Sequence, residues 1–144
     1  MNVSIKLNDF DENKIYFNKP VENTVIDDSK FFRITYSDDI LSITGVHIRF
    51  NISSSYDYNH CNKNNILLNL EKNKSVVSKL CLIEKKILNR FFTTKKTPVY
   101  KIWNKLNRGN FQLFTNEYVL KISGIWETDK EYGITYRFFD ISNG

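Results

Sequence analysis

Asn110 to Ser142 reads NFQLFTNEYVLKISGIWETDKEYGITYRFFDIS. Tyr118, Leu120, Ile122, Gly124 and Trp126 fall on one parity, and Val119, Lys121, Ser123, Ile125 and Glu127 on the other. Alternation of this kind puts one set on each face of a strand. The polar run Thr128 to Glu131 suits a turn. A second alternation follows, with Tyr132, Ile134, Tyr136 and Phe138 against Gly133, Thr135, Arg137 and Phe139. Two such runs around a short polar link predict a β-hairpin. Gly124 and Gly133 interrupt the strands. Interior strand glycines mark a bulge, a sharp coil or a close approach of another backbone, and a sheet curls at such points.

Upstream, one helix stands out. Val76, Leu80, Ile83, Ile87 and Phe91 recur at helical spacing, which predicts a helix from Ser75, its N-cap, to about Phe92. Earlier stretches alternate as strands do. Val3, Ile5 and Leu7 form one, Lys14 to Phe17 a second, and Phe32, Ile34 and Tyr36 a third. Leu41 to Ile52 changes phase at Thr44-Gly45, as a bulge there would cause. Asn64 to Leu70 adds a short strand, and Ser53 to Asn65 reads as a loop. Tyr100 to Asn110 leads into the hairpin. Strands, one late helix and a final strand pair predict a mainly β fold with one helix. The expected form is an OB-like curled barrel of five strands, and a β-sandwich with one helix is the alternative.

The length of 144 residues fits a single domain spanning 1–144. Its net charge of +5 is unevenly spread. Residues 1–40 hold five Lys/Arg against eight Asp/Glu, and residues 41–144 hold sixteen against eight. An acidic N-terminal part and a basic body predict a polyanionic partner for the body; a merely solvated basic surface is the plainer reading. Two cysteines make no disulfide framework, and the N-terminal residues contain no apolar signal core. Both features predict an intracellular protein that is not secreted. No run of 18 apolar residues is present, so no membrane partner is expected. Heavy use of Asn, Lys and Ile fits an AT-rich genome, such as that of a virus or plasmid.

The stretch from Lys85 to Asn116 contains eight Lys/Arg and no acidic residue. Phe91, Phe92, Tyr100, Trp103, Phe111 and Phe114 are interleaved with these cations. Phosphates attract cations, and unpaired bases stack on flat rings. Strand residues Arg33, His47, Arg49, Lys121 and Arg137 would extend the positive surface across one sheet face. The expected nucleic-acid-binding set is Arg33, Arg49, Lys95, Lys96, Lys101, Trp103, Lys105, Arg108, Lys121, Trp126, Tyr132 and Arg137. These residues are expected to line one shared channel. Phe91, Phe111, Tyr136 and Phe138 suit a core instead. Trp126 shares parity with Leu120 and Ile122, which favours the core for it as well. Trp103, in a polar and basic setting, is the better candidate for an exposed ring.

Catalytic and metal signatures are weak. His60-Cys61 with Cys81 lacks zinc-ligand spacing, and no GxSxG elbow or glycine-rich phosphate loop is present. Asp28-Ser29-Lys30 matches the acid-x-lysine tail of one family of metal-dependent nucleases, a match of three residues. No catalytic residue, metal or cofactor is expected, and the chain is read as a non-enzyme.

Val119-Leu120-Lys121-Ile122-Ser123-Gly124-Ile125-Trp126-Glu127 and Tyr132-Gly133-Ile134-Thr135-Tyr136-Arg137-Phe138 together resemble the terminal hairpin of small OB-type single-stranded-DNA-binding proteins from large DNA viruses and related elements. The resemblance covers about a quarter of the chain. It implies sequence-nonspecific coating of single strands in replication or repair, with DNA favoured over RNA. The C-terminus departs from that pattern, since Asp140 to Gly144 is no acidic tail. Recruitment of a protein partner would then fall to the acidic N-terminal part, and self-association is left open. The competing reading is a non-enzymatic protein-interaction subunit or host-modulating viral factor.

Overall fold

The computed structural model describes residues 4–22, 28–38, 40–53, 67–91, 95–108 and 111–141. The elements run β1 (Ser4–Lys6), β2 (Ile15–Phe17), β3 (Val21–Glu22), β4 (Lys30–Ser37), β5 (Ser42–Thr44), β6 (Val46–Asn51), α1 (Lys74–Phe91), β7 (Thr97–Val99), α2 (Lys101–Asn107), β8 (Glu117–Glu127) and β9 (Glu131–Asp140). Among the described residues no helix is long and apolar enough to cross a membrane. Mainly β architecture is what the alternating segments dictate.

The C-terminal hairpin is the centre of the sheet. β9 pairs antiparallel along nearly the whole of β8, and β7 adds to β9 in parallel. The other side of β8 is shared by two strands. Glu117 to Ile122 pairs with β6, while Gly124 to Glu127 pairs with β4. The fork lies at a bulge between Ile122 and Gly124. A bulge adds a residue and bends the strand, which lets one strand serve two neighbours. Two glycines make room there. Gly45 takes φ +73°, donates its N–H to Ile34 O at 2.8 Å, and a Cβ on it would stand 3.1 Å from Ile122 O. A Cβ on Gly124 would stand 2.2 Å from the Phe32 carbonyl oxygen. Beyond the fork, β1 extends β6, while β2, β3 and β5 flank β4.

α1 and α2 cover one face of the sheet. Val77, Leu80, Ile83, Ile87 and Leu88 of α1 are buried with Ile15, Ile34, Ile48, Leu120, Ile122 and Ile134 of the strands. At this level of burial each such side chain contributes about 1.5–3 kcal/mol. The stripe on α1 closes over the fork through Phe91, whose ring lies 4.8 Å from Phe32 and 5.7 Å from Tyr132. Asn73, just before α1, is buried and ties the helix start to the end of β6. Its Oδ1 accepts from Ser53 N at 2.7 Å, and its Nδ2 donates to Ser53 O and Asn69 O.

Several details differ from the sequence reading. Among the described residues the strands number nine rather than five, and a second helix, α2, follows β7. Within the same set no pairing joins the sheet's edges into a closed ring, so the sheet is open, a form compatible with both the curled sheet and the sandwich. α1 begins at Lys74, ahead of Ser75, so Ser75 is not its cap. From Asn64 to Leu70, only Leu67 bridges a neighbour, Gln112; residues 64–66 lie outside the described set. The phase change at Thr44-Gly45 is the left-handed glycine itself. The acidic N-terminal part is woven into the fold rather than set apart. It supplies β1 to β4, and Glu12 is held by Lys86 at 3.6 Å and by the Arg90 guanidinium, which donates to the Glu12 carbonyl.

Candidate nucleic-acid interface

The face of the sheet opposite the helices is set by period-two alternation. Lys121 faces away from buried Leu120 and Ile122, and Arg137 faces away from Tyr136 and Phe138. Register then aligns them. Ser4 pairs with His47, His47 with Lys121, and Lys121 with Arg137, giving one row across β1, β6, β8 and β9. The next row is Lys6, Arg49, Val119 and Phe139. On the other side of the bulge, Arg33, Gly124 and Thr135 form a third. Like charges directly opposite one another destabilise a sheet, and among the described residues neither Lys121 nor Arg137 makes an ion pair. Burial, and then the charge of Lys121, hold His47 below its usual range, so it is neutral at neutral pH. The Arg137 guanidinium carbon lies 4.8 Å from the half-buried Phe139 ring. Arg49 is partly neutralised by Glu117 at 3.7 Å.

α2 presents three stripes. Ile102 and Leu106 are buried. Lys101, Lys105 and Arg108, at i, i+4 and i+7, are exposed along one solvent stripe. Trp103, Asn104 and Asn107 line a groove against α1. Tyr100, the residue before the helix, offers no side-chain cap. Glu84 of α1 fills that role from a distance. Its two oxygens accept from Ile102 N at 2.8 Å and Trp103 N at 2.9 Å, and the carboxylate sits at the positive end of the helix dipole.

Burial pushes the Glu84 carboxyl above its ordinary range, against the pull of those two N–H groups. Between the ordinary and the raised value the folded chain keeps a proton that the unfolded chain has lost. Stability from this group therefore falls as pH rises through that window. Glu84→Gln is expected to flatten that slope in melting temperatures taken from about pH 4 to pH 7. Glu84→Ala leaves the buried Ile102 N–H and the part-buried Trp103 N–H unpaired and is expected to cost about 3 kcal/mol. Gln keeps one acceptor without a charge to bury and should cost less than half of that. Equal losses in the two variants would show that the cap contributes nothing beyond side-chain volume.

The twelve expected contact residues divide between two surfaces. Arg33, Arg49, Lys121 and Arg137 share the open sheet face. Lys105, Arg108 and Trp103 belong to α2, on the helix side, where Trp103 is 51% exposed. The single shared channel is therefore not formed, because the sheet itself separates the two groups. Lys101 links them at the β7–β9 edge, with its Nζ 4.7 Å from the centre of the Trp126 ring. Lys95 is exposed in the turn before β7, while Lys96 is engaged by Glu127 at 3.3 Å.

Two ring assignments need correction. Tyr132 is 2% exposed and packs on Phe91, so it offers no face to a base. Trp126 is 6% exposed. The bulge reverses the parity of β8, so Ile125 takes the place in the core and Trp126 crosses to the opposite face. There it lies against Gly133, where a Cβ would stand 2.6 Å from its ring. Among the described residues its Nε1 has no hydrogen-bond partner. Phe139 is absent from the expected set, although it shares the parity of Arg137 in the sequence. His60 and Cys61 lie outside the described residues. Cys81 is a free, half-buried cysteine, and burial raises its thiol pKa. Asp28 sits at φ +56° in the turn before β4.

No protein-family model matches the chain, and neither the curated proteins nor the solved structures contain a match.

Proposed function

We propose that this protein is a non-catalytic module that binds single-stranded nucleic acid without sequence preference, DNA ahead of RNA. The observation that carries this reading is the cross-strand row of His47, Lys121 and Arg137, on the sheet face opposite α1 and α2. Opposed cations cost stability when the face is bare, and a phosphate backbone removes that cost while releasing its own counterions. Arg33 and Arg49 widen the positive surface, and the half-buried Phe139 beside Arg137 offers part of a ring. Lys101 continues the path over the sheet edge to Lys105 and Arg108.

Fluorescence anisotropy of labelled oligo-dT with the full chain tests the reading. Binding is expected at about 50 mM salt, with log K falling against log salt by about 0.7 for each phosphate contacted. A duplex of equal length should bind more weakly, because its bases cannot reach a ring. Absence of any affinity for oligo-dT at low salt would remove the proposal.

A further inference from the structure

The groove between α1 and α2 has a volume of about 700 Å³, in the range of sites for nucleotide-sized ligands. Its walls combine three chemistries. Trp103 supplies a half-exposed indole face. Asn104, Asn107 and Ser78 supply polar edges. The Asn107 Nδ2 donates to Trp103 O at 3.0 Å and approaches Cys81 Sγ at 3.6 Å, which turns its amide within the groove. The amide of Asn104 makes no hydrogen bond among the described residues. Lys85 places an ammonium at the rim and makes no ion pair among the described residues. The one carboxylate at the groove, Glu84, is fully buried with both oxygens occupied by backbone N–H groups.

We infer that this groove holds one unpaired nucleobase of the bound strand, stacked on Trp103, with its edge at the Asn104 and Asn107 amides and a flanking phosphate at Lys85. The inference rests on the single-strand reading above. A base edge carries both donors and acceptors, which a carboxamide matches with either atom. An apolar peptide helix would leave these amides unpaired. The ammonium, with no free carboxylate among the described groove residues, fits an anionic ligand. Continuity supports the same occupant. The stripe of Lys101, Lys105 and Arg108 runs along the same short helix as the groove residues, so a strand leaving the sheet edge meets cations on its way to Trp103.

The test is a set of titrations on the full chain with oligo-dT and with an abasic strand of the same length. Trp103→Phe keeps a ring, so affinity is expected to stay within about threefold, while most of the tryptophan quenching on binding disappears. Trp103→Ala is expected to weaken oligo-dT binding by roughly 5- to 150-fold. The abasic strand should bind the wild type more weakly than oligo-dT, and Trp103→Ala should shrink that gap. The Trp103 N–H that reaches Glu84 belongs to the backbone and survives both substitutions, so an unchanged melting temperature verifies the fold. If oligo-dT binds with its normal salt slope but Trp103→Ala binds it as tightly as wild type, the groove holds no base and only this inference falls. Quenching as large in Trp103→Phe as in the wild type would overturn it as well. If the wild type binds no oligo-dT at all, the parent reading falls with it.

Discussion

Lys121→Glu is expected to fold at least as well as the wild type and yet to lose roughly 60-fold in affinity for oligo-dT at about 50 mM salt. Both halves follow from the same register. Lys121 stands directly opposite His47 on one side and Arg137 on the other. A glutamate there turns a repulsive cross-strand pair into an attractive one, worth about 0.2–1 kcal/mol. It also engages Arg137, so two cations are withdrawn from the ligand. Each phosphate contact on a single strand contributes about 0.7 to the salt exponent, or about eightfold at 50 mM, and two contacts give the 60-fold figure. The salt slope should fall by about 1.4. Lys72→Glu makes the same change in net charge on an exposed turn ahead of α1 and serves as the control. Equal losses in Lys121→Glu and Lys72→Glu would mean that the overall field, and not this row, attracts the ligand. Anisotropy titrations and thermal melts on the same samples read both effects.

Gly124→Ala is expected to destabilise the fold by about 4 kcal/mol or more, which for a chain of this size lowers the melting temperature by roughly 12 °C. The added methyl would lie 2.2 Å from the Phe32 carbonyl oxygen and 2.8 Å from the Phe31 ring. A ring can turn, but a strand carbonyl can move only by parting β4 from β8. That would undo the pairings from Lys30 with Glu127 to Arg33 with Gly124. Differential scanning calorimetry measures the loss, and a melting temperature within about 3 °C of wild type would show that the two strands have slack at the fork.

The parts of this arrangement visible in the sequence are those with a uniform period. Leu120, Ile122 and the helix stripe from Val77 to Leu88 are apolar at regular spacing and are buried. The polar set that includes Lys121, Arg137, His47 and Arg49 gathers on one face for the same reason. Irregularity hides the rest. Gly124 signals an interruption, but no residue type says that Ser123 is the added one, so parity alone puts Trp126 on the wrong face. α2 is seven residues long, too short for its own periodicity to stand out, and its cap comes from Glu84, 18 positions before Ile102. Tyr132 flanks a turn, where exposure is usual, but Phe91 reaches across to cover it. The single channel fails because parity fixes which face of a strand a residue occupies and says nothing of where a helix lies relative to that face.

The forked strand sets an order of events in synthesis. β8 joins β4, β6 and β9, yet it begins at Glu117, late in the chain. A nascent polypeptide that has released β1 to β6 lacks the partner that unites them, and its apolar strands wait with open edges while α1 and α2 emerge. Such edges invite pairing with other chains. Truncation before Glu117 therefore removes the keystone of the sheet and should leave an aggregating fragment in place of a smaller domain.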